Sequence, residues 1–100
     1  MKKLNFYTLR MENGSKKAVL VSGYTDGDFN YYKTDRGTWW AIHPGTGLAI
    51  TTCFCSSRKT AAENAHDPFL LEKLKNILDR DSGKEMVNRF DKLIQEVKQC

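Results

Sequence analysis

Three cysteines and two histidines are the residues of this chain best suited to covalent or metal chemistry. His43 with Cys53 or Cys55 would supply a base and a thiol nucleophile. Thiolate catalysis also needs a third group to orient the base, and here all the parts would have to come from one hairpin. A plainer reading makes His43 a loop residue before Pro44 and the cysteines small apolar side chains. We therefore expect a non-enzymatic protein, with a cysteine-dependent enzyme as the third-ranked reading. Cys53-Phe54-Cys55 with His43, His66 or Cys100 would offer zinc ligands, but structural zinc favours cysteine pairs that wrap the ion from either side of a longer turn. Asp26-Gly27-Asp28 lacks the remaining ligands of a calcium loop. Gly45-Thr46-Gly47 lacks the Lys-Ser/Thr ending of a phosphate loop. Both read as turns, and neither a metal nor any other cofactor is expected.

A different chemistry, aromatic stacking, is better served. Gly37–Ser57 contains no Asp, Glu, Lys or Arg, although 28% of the chain is charged. Within and beside it, Asn30, Tyr32, Trp39 and Thr51 would form an uncharged aromatic platform, rimmed by Lys33, Arg36, Arg58 and Lys59. Stacking on such rings contributes about 1–3 kcal/mol per base. The competing explanation is that these strands are interior and covered on both faces, which also removes charge.

The elements that must position these residues follow from turn and cap signals. Leu4–Met11 and Lys17–Ser22 flank Asn13-Gly14, a two-residue hairpin turn that pairs Arg10 with Lys17 and Thr8 with Val19. Asp26-Gly27 marks a further turn. Phe29–Lys33 and Thr38–Ile42 flank a four-residue loop closed by a left-handed Gly37. Pairing Lys33 with Thr38 sets Tyr32 opposite Trp39 and Tyr31 opposite Trp40. A five-residue loop, 43–47, then leads to a strand in which Leu48 pairs with Ile42. This register sorts Phe29, Tyr31, Trp40, Ile42, Leu48, Ile50 and Phe54 onto a core face and Asn30, Tyr32, Trp39, Ala41, Ala49, Thr51 and Cys53 onto an open one.

The remainder reads as helix. Ser56 or Ser57 caps an Ala-rich helix over Arg58–Ala65. Asp67-Pro68 caps and opens a second helix carrying Leu70, Leu71, Leu74, Ile77 and Leu78 on one stripe. Ser82 with Glu85 is a capping box for a third, whose stripe is Met86, Val87, Phe90, Leu93, Ile94 and Val97. These stripes read as core, with homodimerisation through the C-terminal helices as an alternative use.

Within Phe29–Ala65, "RGTWWAI", "TGLAITT" and "SSRKTAAENA" resemble plant ethylene-response-type DNA-binding domains and the N-terminal arm-binding domains of tyrosine-family phage integrases. The resemblance implies a three-stranded antiparallel sheet in the major groove, backed by an Ala-rich helix. Gly37, Trp39, Ala41 and Ile42 stand where those families have Gly, an aromatic, a small residue and a branched one. Ala61, Ala62 and Ala65 match the helix. The second and third strands carry no Arg or Lys, so contacts would fall to rim phosphates and aromatic stacking.

With 100 residues the chain is expected to be one domain, sheet-rich over 1–55 and helical over 56–100. Its fold class is α+β: an antiparallel meander of about five strands, then a short helix and two amphipathic helices packed on one sheet face. Residues 1–60 hold nine basic and four acidic side chains, and residues 61–100 hold seven and eight. The electropositive front half points to an anionic partner. Three cysteines are an odd count that suits a reducing compartment, and no membrane-spanning run is present, so a cytoplasmic protein is expected. Nucleic acid is the leading partner. A protein-interaction module or small inhibitor of phage or mobile-element type is the alternative.

Overall fold

The longest paired element is built on the Asn13-Gly14 turn. In the computed structural model, which describes residues 1–50 and 55–99, β1 (Lys2–Glu12) and β2 (Ser15–Thr25) pair without a break from Lys2–Thr25 to Glu12–Ser15. Asn13 and Gly14 have φ of 52° and 80°, the two left-handed residues that a type I′ turn requires. Arg10 faces Lys17 and Thr8 faces Val19, as the turn residues predict. β3 (Asn30–Lys33) and β4 (Trp39–Ile42) continue the antiparallel sheet in the order β1-β2-β3-β4.

The β3–β4 register differs from the expected one by one residue. Asn30 pairs with Ile42, Tyr31 with Ala41, Tyr32 with Trp40 and Lys33 with Trp39. The cause lies in the loop. The Gly37 N–H donates to the Thr34 carbonyl at 2.9 Å, and the Thr34 N–H donates to the Thr38 carbonyl at 2.8 Å. Gly37 is left-handed at φ 83°. The loop is thus the three residues Asp35, Arg36 and Gly37, a turn followed by a left-handed glycine that forms a bulge. A hydrogen bond of 2.8 Å between the Thr34 and Thr38 hydroxyls closes it.

The slip exchanges faces. Phe29, Tyr31 and Ala41 are buried on the side that carries Trp39, and Tyr32 and Ile42 are buried on the side that carries Trp40. The expected open set of Asn30, Tyr32 and Trp39 therefore does not exist as one surface. Tyr32 packs against Phe6, with ring centroids 6.1 Å apart, and Asn30 is buried as well.

Among the described residues the sheet has four strands, not five. Beyond β4 the chain makes two isolated pairings, Ile42 with Ala49 and Trp39 with Cys55, supported by the Ile50 N–H on the Ala41 carbonyl at 2.7 Å. Leu48 is likewise one place from its expected partner: its carbonyl accepts from the His43 N–H at 2.9 Å. Thr51, Cys53 and Phe54 lie outside the described residues, as does Cys100. The loop 43–47 reaches the free edge of β1, where the Leu9 N–H and the Thr8 hydroxyl both donate to the Gly47 carbonyl. The two ends of the sheet are therefore brought together, which requires a strong curl.

α1 (Arg58–Ala65) presses Ala61 and Ala65 onto β3 and β4. Their small size lets helix and sheet come close, and Phe29, Tyr31, Ala41 and Cys55 complete that cluster. Its cap is Ser57, which accepts from the Thr60 N–H at 3.2 Å. α2 (Pro68–Leu78) starts on Asp67 with Pro68 in its first turn and adds Leu74 to the same cluster. α3 (Asp81–Lys98) begins earlier than the capping box predicts, with Arg80 as an N-cap that makes no side-chain bond. Gly83 then lies against the backbone of Ile77 and Leu78, where a Cβ would collide. That contact fixes the tight corner between α2 and α3.

α3 does not share the α1 seat. It packs on β2, and its buried Phe90 lies over Gly47. Met86, Phe90 and Leu93 line one small cavity with Leu9 and Leu48 there, so part of the apolar stripe faces the sheet and loop 43–47. No helix among the described residues is long and apolar enough to cross a membrane.

Candidate nucleic-acid interface

The one-residue slip puts Trp39 beside α1 rather than on an open sheet face. There it meets Tyr24 of β2, ring centroids 6.1 Å apart and tilted by 47°. Arg58, the first residue of α1, lays its guanidinium over the Tyr24 ring at 3.9 Å from the centroid and stands 5.9 Å from that of Trp39. A guanidinium within about 6 Å of a ring centroid is attracted to the negative π face. Arg58 is thus held at the aromatic pair, with its planar donors available to a phosphate or a base edge.

These residues line a shallow, open groove that also includes Ser56, Ser57 and Lys59. Lys59 is exposed, and Trp39, Tyr24 and Arg58 are half-buried. The groove runs past the first turn of α1, which contains no acidic residue. The first N–H groups of a helix have no intrahelical acceptor and carry a partial positive charge. Among the described residues, Glu63 is the one acidic side chain that lines the groove. The combination of aromatic faces, one guanidinium held on Tyr24 and one exposed ammonium suits an anionic ligand with a flat ring.

The site residues expected from sequence therefore separate. Trp39, Arg58 and Lys59 come together in this groove. Lys33 faces Trp39 across the β3–β4 pair and is exposed, and Arg36 is exposed at the hairpin tip. Tyr32 and Asn30 are buried away from the groove, and Thr51 lies outside the described residues. Tyr24 was not among the expected residues. Its signal was present in sequence only as an aromatic two residues before the Asp26-Gly27 turn, and its role depends on β2 lying beside β3.

Trp40 projects to the other face, 38% exposed, with its ring edge-on to Tyr32 at 6.1 Å. The two indoles do point opposite ways, but Trp40 is the more exposed of the pair.

The cysteine–histidine constellation is not assembled among the described residues. The His43 Nδ1 accepts from the Thr46 N–H at 3.2 Å and lies 3.0 Å from the Thr46 hydroxyl, so the ring organises its own turn. Burial holds its pKa below the ordinary histidine value. Cys55 is fully buried beside Trp39, at the far end of β4 from His43, and its sulfur accepts from the Asn64 amide at 3.4 Å.

A second group of polar residues meets at the other end of α1. His66, its C-cap, reaches Asp28 Oδ2 at 3.1 Å and Asp26 Oδ2 at 3.6 Å. The Tyr31 hydroxyl donates to Asp26 Oδ2 at 2.6 Å. The sequence showed Asp26-Gly27-Asp28 only as a turn, because His66 lies far along the chain and arrives by the packing of α1 on β3.

No family model, curated protein or solved structure matches this chain.

Proposed function

We propose that the protein is a small non-enzymatic binding protein that holds single-stranded nucleic acid in the groove between Trp39, Tyr24 and the start of α1. The observation that carries this reading is the Arg58 guanidinium stacked on Tyr24 beside Trp39, with Lys59 exposed next to it. A base stacks on Trp39, beside the Tyr24 face that Arg58 covers, while Arg58 and Lys59 meet the phosphates. The excess of basic residues over positions 1–60 favours the encounter. A duplex fits less well, since the aromatics lie in a groove and no Arg or Lys stands on β4 or in the uncharged stretch that follows it.

Fluorescence anisotropy with a labelled oligonucleotide tests the reading. Binding of single-stranded DNA or RNA should weaken markedly from 50 to 200 mM salt, by roughly tenfold for two phosphate contacts, because neutralised phosphates release counterions. Arg58→Ala and Lys59→Ala should each lower the slope of log affinity against log salt by about one. Undetectable binding at low salt, or binding indifferent to salt, overturns the proposal.

The alternative, a protein-interaction module, rests on a different surface. Phe69 is 73% exposed at the start of α2, with Leu71 also exposed nearby. A partner recovered by pull-down that resists nuclease and high salt, and is lost on Phe69→Ser, favours that reading over the first.

A further inference from the structure

We propose that Asp26, Asp28 and His66 bind one divalent transition-metal ion of zinc type, which clamps the end of α1 to the turn between β2 and β3. The inference is independent of the groove.

The geometry starts at the imidazole. His66 Nδ1 donates its proton to the Ala62 carbonyl at 2.8 Å, and the ring packs edge-on against Phe29 with centroids 5.2 Å apart. Metal-binding histidines are commonly oriented this way, with the nitrogen not facing the metal tied to a backbone carbonyl. Nε2 is left directed at two carboxylates. Asp26 is equally fixed: its Oδ1 accepts from the N–H groups of Asp28 and Phe29, both at 2.9 Å, and its Oδ2 accepts from Tyr31. Three potential ligand atoms, one from each residue, lie within 4.8 Å of one another.

Their spacing suits an ion. Ligands held about 2.0–2.1 Å from a tetrahedral zinc lie about 3.3 Å apart. The separations from Nε2, 3.1 and 3.6 Å, bracket that value. A proton on Nε2 satisfies this arrangement less well, because it bridges to Asp28 at 3.1 Å but not to Asp26 at 3.6 Å. A divalent ion touches all three at once and balances two carboxylates. Among the described residues no Lys or Arg pairs with either carboxylate, so no side-chain ammonium or guanidinium does that work. One imidazole with two carboxylates is a borderline donor set that suits zinc, cobalt or nickel better than magnesium. Asp28 is largely exposed, and water would complete the coordination on that side.

Zinc chloride titrated into the whole chain provides the test, followed by long-range proton–nitrogen NMR of the histidine rings and by thermal melting. One equivalent should move the His66 Nε2 resonance and leave His43 in place, and should raise the melting temperature by several degrees. Asp28→Asn and His66→Gln should each weaken zinc binding at least tenfold. The Asp28 variant changes an exposed side chain and keeps the test open if His66→Gln fails to fold. Unmoved His66 resonances overturn the proposal. So does zinc affinity unchanged in Asp28→Asn, which would assign the ion to the cysteines.

Discussion

Arg58 and Trp39 do different work at one place, and their substitutions should separate. Arg58 is attached to the groove through its contact with Tyr24, while Trp39 also packs against the Phe29–Tyr31–Ala41 cluster. Arg58→Ala should lower nucleic-acid affinity with little change in melting temperature. Trp39→Ala should cost about 1–3 kcal/mol of binding and should lower stability too, because half of the ring is core. Anisotropy and thermal melting on the same two variants check both.

His66 gives a pH dependence of definite sign. Its hydrogen bond to the Ala62 carbonyl and then its contacts with Asp28 and Asp26 outweigh burial and raise its pKa above the usual 6.5. The stabilisation is therefore complete below pH 6.5, the unfolded value, and is lost as pH rises through the folded one. For Asp26, burial alone would raise the pKa. The hydrogen bonds from Tyr31, Phe29 and Asp28 and the charge of His66 outweigh it and hold the carboxyl below its ordinary pKa. In buffer with chelator, the melting-temperature gap between the natural chain and His66→Gln should be wider at pH 5.5 than at pH 8.5. His43 works in the opposite sense, since its lowered pKa favours the fold above the unfolded value. For that reason the comparison is made with the single variant rather than with the whole pH curve.

Turns and caps were the most legible elements. The Asn13-Gly14 turn specifies its register, because both residues accept positive φ and only two lie between the strands. Ser57, Asp67 and Pro68 set the starts of α1 and α2 through contacts a few residues long. Arg80 shows where such reasoning stops: Ser82 and Glu85 could have capped α3, but the close approach of Gly83 to Ile77 and Leu78 starts the helix sooner. The Asp35-Arg36-Gly37 loop shows the same limit. A left-handed Gly37 fits a three-residue or a four-residue loop, and the Thr34–Thr38 pair selects the former.

Gly37 and Gly47 are both left-handed but differ in what a Cβ would meet. Gly37→Ala should cost about 1–2 kcal/mol, the usual penalty for a Cβ in the left-handed region, without disturbing any packing. Gly47→Ala meets the Phe90 ring as well as a left-handed φ of 69°, so it should cost more, roughly 1–3 kcal/mol beyond the backbone strain. Denaturant melts of the pair distinguish a turn that tolerates a side chain from a seat for α3 that does not.

At the scale of the whole molecule, the curl that carries loop 43–47 to the edge of β1 leaves the two tryptophans in different surroundings. Iodide should quench Trp40 more than Trp39, and a bound oligonucleotide should perturb Trp39 emission selectively. Equal quenching of both indoles would place Trp39 in open solvent and contradict its packing against the α1 cluster.

By itself the sequence determined the α+β class, the first hairpin, the spans of α1 and α2 and the opposition of Trp39 and Trp40. All of these depend on neighbours in the chain, through turn stereochemistry, capping hydrogen bonds and the two-residue alternation of a strand. Only the tertiary structure decided which indole stands beside α1, that Tyr24 joins Arg58, and that His66 meets Asp26 and Asp28. A one-residue slip exchanges two sheet faces with almost no local penalty, so that choice belongs to what packs on each face. A meeting between residues 38 apart leaves no trace in the spacing of either segment, because the packing of α1 on the sheet brings it about.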